Sequence, residues 1–128
     1  MAARVIADHL RSTAFILADG VVPSATGAPT SGAGWLLTSV AAAGRGYVLR
    51  RLIRRAVGFG EQIGLKEPFL GHLLPALLQS HGVAYPELLE RETMILQMLQ
   101  LEEESFRDRL KHGLALLDKV TVHRGLVC

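Results

Sequence analysis

Apolar positions along this chain recur at helical rather than strand spacing. From Ala3 to about Ala18, Ile6, Leu10 and Leu17 fall near one stripe and Arg4, Asp8 and Arg11 fall away from it, which predicts a first helix. Asp19-Gly20 is its stop signal and Val22-Pro23-Ser24 a turn. A second helix is predicted from near Tyr47 to about Gly58. On a wheel drawn at about 100° per residue, Val48, Leu49, Leu52, Ile53, Ala56 and Val57 fill one half, and Arg50, Arg51, Arg54 and Arg55 fill the other. Pro68 suits the first position of a third helix, with Phe69, Leu70, Leu73, Leu74, Leu77 and Leu78 as its buried stripe and Pro75 expected to kink it. Pro86 opens a long fourth helix. Its apolar positions are Leu88, Ile95, Leu99, Phe106, Leu110 and Leu117, and Glu102-Glu103-Glu104 is expected on a solvated face. The predicted class is all-α, a bundle of about four helices with a long flexible loop between the first and second.

That loop is read from residues 25–43. No charged residue occurs between Gly20 and Gly44, and Gly, Pro, Ser and Thr interrupt the stretch throughout. A membrane helix needs about 20 mainly apolar residues, and the longest greasy part here is Trp35-Leu36-Leu37. Small polar residues bury too little surface to offset their ordering entropy.

Composition sharpens this only in part. The 128 residues suit one domain, and 49% hydrophobic content with 5% aromatics favours a core of Leu, Ile, Val and Ala. The formal charge of +2 does not announce a nucleic-acid partner, so such a reading must rest on where the charge sits. One cysteine, Cys128, excludes a disulfide framework and fits a reducing compartment. Charges within the first residues argue against a secretory signal. Arg4 and Arg11 would suit a mitochondrial presequence, Asp8 and Asp19 weigh against it, and the expected compartment is the cytoplasm.

Candidate chemistry is sparse. The histidines His9, His72, His81, His112 and His123 have no metal-ligand spacing, and no carboxylate is paired with a His or Ser for acid–base work. Gly44-Arg45-Gly46 and Gly58-Phe59-Gly60 lack the phosphate-loop pattern; Gly44 is read as a tight turn into the arginine helix. The sharpest feature is the run Arg45, Arg50, Arg51, Arg54 and Arg55. Guanidinium groups pair with phosphate through two parallel hydrogen bonds and stay charged, so this face can follow a nucleic-acid backbone. By spacing alone a solvated basic face paired with Glu102 to Glu104 is the favoured of the two readings.

Several strings resemble the alanyl-tRNA synthetase family: Arg4-Val5-Ile6-Ala7-Asp8-His9-Leu10-Arg11, Ala18-Asp19-Gly20-Val21-Val22-Pro23-Ser24 and, above all, Gly44 to Val57, GRGYVLRRLIRRAV. Lys66-Glu67-Pro68-Phe69-Leu70, Ala84-Tyr85-Pro86-Glu87-Leu88 and Glu102-Glu103-Glu104-Ser105-Phe106 continue the likeness in the same order, to near Leu117. The resemblance implies the helical segment between the class II catalytic core and the editing domain, which grips the acceptor stem of alanine tRNA with its G·U pair. It implies tRNA-binding roles for Arg45, Arg50, Arg51, Arg54 and Arg55, with no DNA or membrane partner; oligomeric state stays open.

The departures from the family carry expectations of their own. Family members run from the Pro-Ser turn through an asparagine that helps read the wobble pair, almost directly into Arg-Gly-Tyr. Here Ser24 is followed by Ala25, residues 25–43 replace the short link, and residues 119–128 leave the family pattern. The expected organisation is therefore residues 1–24 and 44–118 as the tRNA-recognition helices, 25–43 as an insert and 119–128 as a tail. Such an insert and tail suit an alternative transcript, a truncated gene or an imperfect gene model. Motifs for ATP and alanine are not found, and neither is the editing domain's zinc-ligand set. ATP and magnesium are expected to serve the whole enzyme, zinc its editing domain, and no cofactor or catalytic residue this chain. The expected function is a non-catalytic fragment of an alanine–tRNA ligase. The alternatives are a non-specific RNA-binding helical module and a non-functional truncation or splice product.

Overall fold

The computed structural model describes the backbone of residues 1–23 and 38–123, and their side chains except at 38–43 and 123. These residues form five helices and no strand: α1 (Ala2–Ala18), α2 (Thr38–Gln62), α3 (Leu70–His81), α4 (Pro86–Glu90) and α5 (Glu92–His123). The class is all-α, as the periodicity predicts. α1 packs chiefly on α2, while α5 runs across α2 and α3. A single core joins Ile6, Leu10, Ala14 and Leu17 of α1 to Leu49, Ile53, Ala56 and Val57 of α2, Leu70, Leu74 and Leu78 of α3, Leu88 of α4, and Ile95 and Leu99 of α5.

Two helices end by the same device. After α1, Gly20 takes φ 89°, and the N–H groups of Val21 and Gly20 donate to the carbonyls of Ile16 and Leu17. After α2, Gly64 takes φ 93°, and Leu65 and Gly64 donate to Gly60 and Glu61. Both satisfy carbonyls that the helix leaves unpaired, with glycine at the left-handed position. α2 therefore runs past Gly58, where the second helix was expected to stop, to Gln62. Its start is also earlier than Tyr47. Thr38 to Ala43, assigned to the loop on composition, are helical, and the helix passes through Gly44 without a turn. The rest of the expected loop, residues 25–37, lies outside the described residues.

Four other expectations are corrected. α3 opens at Leu70 rather than Pro68, with Phe69 at its N-cap. Its buried face is Phe69, Leu70, Leu74 and Leu78, while Leu73 is exposed, because one side of this short helix meets the core. Pro75 lies inside α3 on its exposed side, where its ring meets solvent rather than core. The long fourth helix is two helices: Pro86 opens α4 as expected, but Arg91, at φ −105° and ψ 13°, divides α4 from α5. Finally, Leu117 does not join the core. All of residues 111–120 are exposed, because a helix of 32 residues, about 48 Å long at about 1.5 Å per residue, outruns the helices it packs against.

α2 approaches the start of α3 closely, and Gly60 is what permits it. A Cβ at Gly60 would lie 2.3 Å from Cε1 and 2.4 Å from Cζ of buried Phe69. Alanine normally favours a helix interior by about 1 kcal/mol over glycine. Here Gly60→Ala should instead destabilise by about 1–2 kcal/mol through overpacking, read as a lower urea midpoint; a raised midpoint would show that Phe69 can step aside cheaply.

Candidate nucleic-acid interface

The five arginines of α2 do not form one face. At about 100° per residue, Arg50 and Arg54 sit on one edge of the polar half and Arg51 and Arg55 on the other. The first edge meets α5. Arg50 Nε lies 2.9 Å from Glu102 Oε1, and Arg54 Nε donates to the same oxygen at 3.1 Å. The side chains of Arg50, Arg54 and Glu102 are only 11%, 25% and 14% exposed. The second edge, with Arg45 near the beginning of the motif, is open to solvent. Arg51 lies over the Tyr47 ring at 5.8 Å and Arg55 over the Phe59 ring at 5.8 Å, arrangements that steady a guanidinium without neutralising it. Arg45, Arg51 and Arg55 enter no ion pair among the described residues. The pairing with Glu102 expected of a basic face holds for Arg50 and Arg54, and Arg45, Arg51 and Arg55 face water.

One carboxylate serves two guanidiniums at the α2–α5 contact, so one positive charge is in excess there. The geometry is also incomplete. Arg50 Nε is close enough to Glu102 for an ion pair but its N–H does not point at the oxygen, and the buried Arg54 Nη2 has no hydrogen-bond partner among the described residues. The Arg54 guanidinium lies 5.3 Å from the centre of the Phe106 ring. Beside it is a cleft of about 520 Å³, lined by His9 of α1, Val48, Arg51, Arg54 and Arg55 of α2, and Phe106 of α5.

Glu103 overturns the expectation of a solvated acidic face. It is fully buried, and its two oxygens accept the N–H groups of Phe69 and Leu70, both at 3.0 Å. These are orphan donors at the start of α3, which has no side-chain cap of its own. Arg107 clamps the same region. It donates to Glu103 Oε1, to Glu61 Oε1 at 2.9 Å, and to the carbonyls of Leu65, Lys66 and Glu67. Glu104 is exposed, as expected. Sequence reasoning missed Glu103, Arg107 and Glu61. The four-residue spacing of Glu103 and Arg107 signalled a pair on one helix, but nothing local signalled the start of α3 as its partner.

Glu61 links this network to pH. Its carboxyl is held below the usual range, first by the hydrogen bond from Lys66 Nζ at 2.7 Å and then by the charges of Lys66 and Arg107, against an opposing burial effect. A carboxyl whose folded pKa lies below its unfolded value, 4.5, contributes stability that is complete above that value and is lost as pH falls through the folded one. Glu61→Gln should therefore melt lower than the parent at neutral pH and approach it as pH falls well below the unfolded value. A constant gap across that range would contradict the assignment.

No helix among the described residues is long and apolar enough to cross a membrane, and no three of their His, Cys, Asp or Glu side chains cluster as metal ligands. Comparison with known proteins supplies the family. A family model described as "tRNA synthetases class II (A)" matches residues 1–125. The chain is 48% identical over 118 residues to the alanine–tRNA ligase of Rhizobium johnstonii, an alignment covering 92% of this chain and 11% of that protein. This chain is an alanyl-tRNA synthetase segment of class II (A). The alanine–tRNA ligase of Parvibaculum lavamentivorans gives 47% over 116 residues, covering 91% of this chain and 11% of that protein. The segment thus spans about a ninth of the length of these synthetases. The place after Ser24, where the resemblance expects a base-reading asparagine, holds Ala25 and lies outside the described residues.

Proposed function

We propose that this chain is the part of an alanine–tRNA ligase that holds the acceptor stem of alanine tRNA by its backbone, and that it performs no chemistry itself. The observation that carries the reading is the solvent-facing row of Arg45, Arg51 and Arg55 on α2, outside the ion pairs described above. Two of the three are propped on aromatic rings. Pre-oriented guanidiniums suit phosphate oxygens, and such contacts position a protein without specifying a base. Arg50 and Arg54 belong to the same interface and, through Glu102, also hold α2 against α5 so that the outer row stays aligned.

ATP and magnesium belong to the whole ligase and zinc to its editing part. The described residues offer neither a glycine-rich phosphate loop nor a metal-ligand cluster, so no step through these groups is assigned to this chain. The proposed place of action is the cytoplasm. The purified chain should show no aminoacylation and no alanine-dependent pyrophosphate exchange, yet bind an alanine acceptor stem. It should prefer the G·U stem over a G·C variant by less than about tenfold, or about 1.4 kcal/mol. Exchange above background would overturn the non-catalytic reading, and no binding at low salt would overturn the RNA reading.

A further inference from the structure

The cleft between α1, α2 and α5 has a charge balance and an unmet donor that the arginine row does not explain. Its lining includes Arg51, Arg54, Arg55 and His9, and no acid is among the residues that line it. The nearest counter-charge, Glu102, is already divided between Arg50 and Arg54. Arg51 and Arg55 have no acid partner among the described residues and Arg54 has only a share of one, so the lining carries an excess of positive charge, which is costly where it is half-buried and unpaired. The Arg54 side chain, 25% exposed, lines the cleft, and its buried Nη2 has no partner among the described residues, which is costly to leave unmade. Val48 and Phe106 give the cleft apolar walls, which strengthen any hydrogen bond formed between them.

We infer that this cleft seats one phosphodiester group of a bound RNA, with Arg54 and His9 as its inner donors and Arg51 and Arg55 at its rim. A phosphodiester supplies the negative charge that this lining lacks, and its tetrahedral oxyanion can accept from the guanidinium of Arg54 and a ring nitrogen of His9. His9 is the new element, since it comes from a different helix and lies outside the arginine motif. The inference rests on the proposed RNA-binding function and adds to it a defined seat. Free phosphate shares the chemistry, so the test must separate the two sources.

The test uses the full chain, labelled for NMR detection of arginine Nε–H and histidine ring signals. It is titrated with inorganic phosphate and, separately, with a duplex RNA stem. Both should move the Arg54 and His9 signals, and phosphate should compete with RNA. His9→Ala should weaken RNA binding by about fivefold, on the scale of one lost hydrogen bond to a charged group, while His9→Lys should restore it. Val48→Trp, at a half-exposed wall position, should weaken binding at least as much with an unchanged melting temperature. If RNA binds while phosphate moves neither signal and both His9→Ala and Val48→Trp stay within about twofold of the parent, the seat is overturned and the arginine row stands. Signals that move with phosphate in a chain that does not bind RNA would overturn the RNA occupant and the proposed function together.

Discussion

Replacing Glu103 by alanine is expected to cost about 3–5 kcal/mol of unfolding free energy, out of the roughly 5–15 kcal/mol typical of a domain. Three losses combine. The N–H groups of Phe69 and Leu70, both buried, lose their acceptors, and each orphaned donor costs about 1–3 kcal/mol. The positive end of α3 loses the carboxylate that sits against it. Arg107, 12% exposed, keeps Glu61 and three carbonyls but loses its pairing with a fully buried acid. Urea denaturation followed by circular dichroism reads the loss, and hydrogen exchange at Phe69 and Leu70 should accelerate most. Glu103→Gln keeps one acceptor oxygen but turns an amide NH₂ towards a backbone N–H, so about half the loss is expected from it. A Glu103→Ala chain within about 1 kcal/mol of the parent would mean that water or a shifted α3 replaces the cap. Carboxylate capping would then not be what joins α3 to α5.

The paired substitution of Arg51 and Arg55 by alanine should lower affinity for duplex RNA by about a hundredfold at low salt, or about 2.8 kcal/mol. It should also flatten the log–log salt dependence by roughly two units, one per phosphate released. Neither guanidinium is in an ion pair among the described residues and alanine is the better helix former, so the melting temperature should not fall. The pair Arg50 and Arg54 should behave in the opposite way. Changing both to alanine strands Glu102, 14% exposed, at the α2–α5 contact. Stability should drop by about 2–4 kcal/mol, and the salt dependence of RNA binding should flatten by about one unit, for the single phosphate that Arg54 contacts. Fluorescence titration at several salt concentrations, alongside thermal melts of each double variant, separates the two edges. Equal effects of both pairs on binding, with equal stability, would show that α2 presents all four arginines to RNA.

The chain's local chemistry was enough to define the all-α class, the extents of α1 and α4 at their starts, and the core face of α2. Of the six positions on the apolar half of the wheel, Leu49, Ile53, Ala56 and Val57 are buried and Leu52 partly so, whereas Val48 is exposed. Asp19-Gly20 and Pro86 mark a helix end and a helix start because glycine's left-handed freedom and proline's fixed φ act within one turn. The arginine motif was legible too, and with it the family. Tertiary structure alone decided which arginines are available. A wheel separates apolar from polar halves but cannot tell which edge of the polar half meets another helix, and here α5 takes Arg50 and Arg54. The same holds for Glu103, which reads as one of three solvated acids yet caps a helix 33 to 34 residues away. Leu117 fits the apolar spacing and still faces solvent, since burial needs a neighbour as well as a stripe. Periodicity reports contacts a few residues apart, whereas the Arg54–Glu102 pair spans 48 residues and the Arg107–Glu61 pair spans 46. Such contacts exist only once the helices have packed.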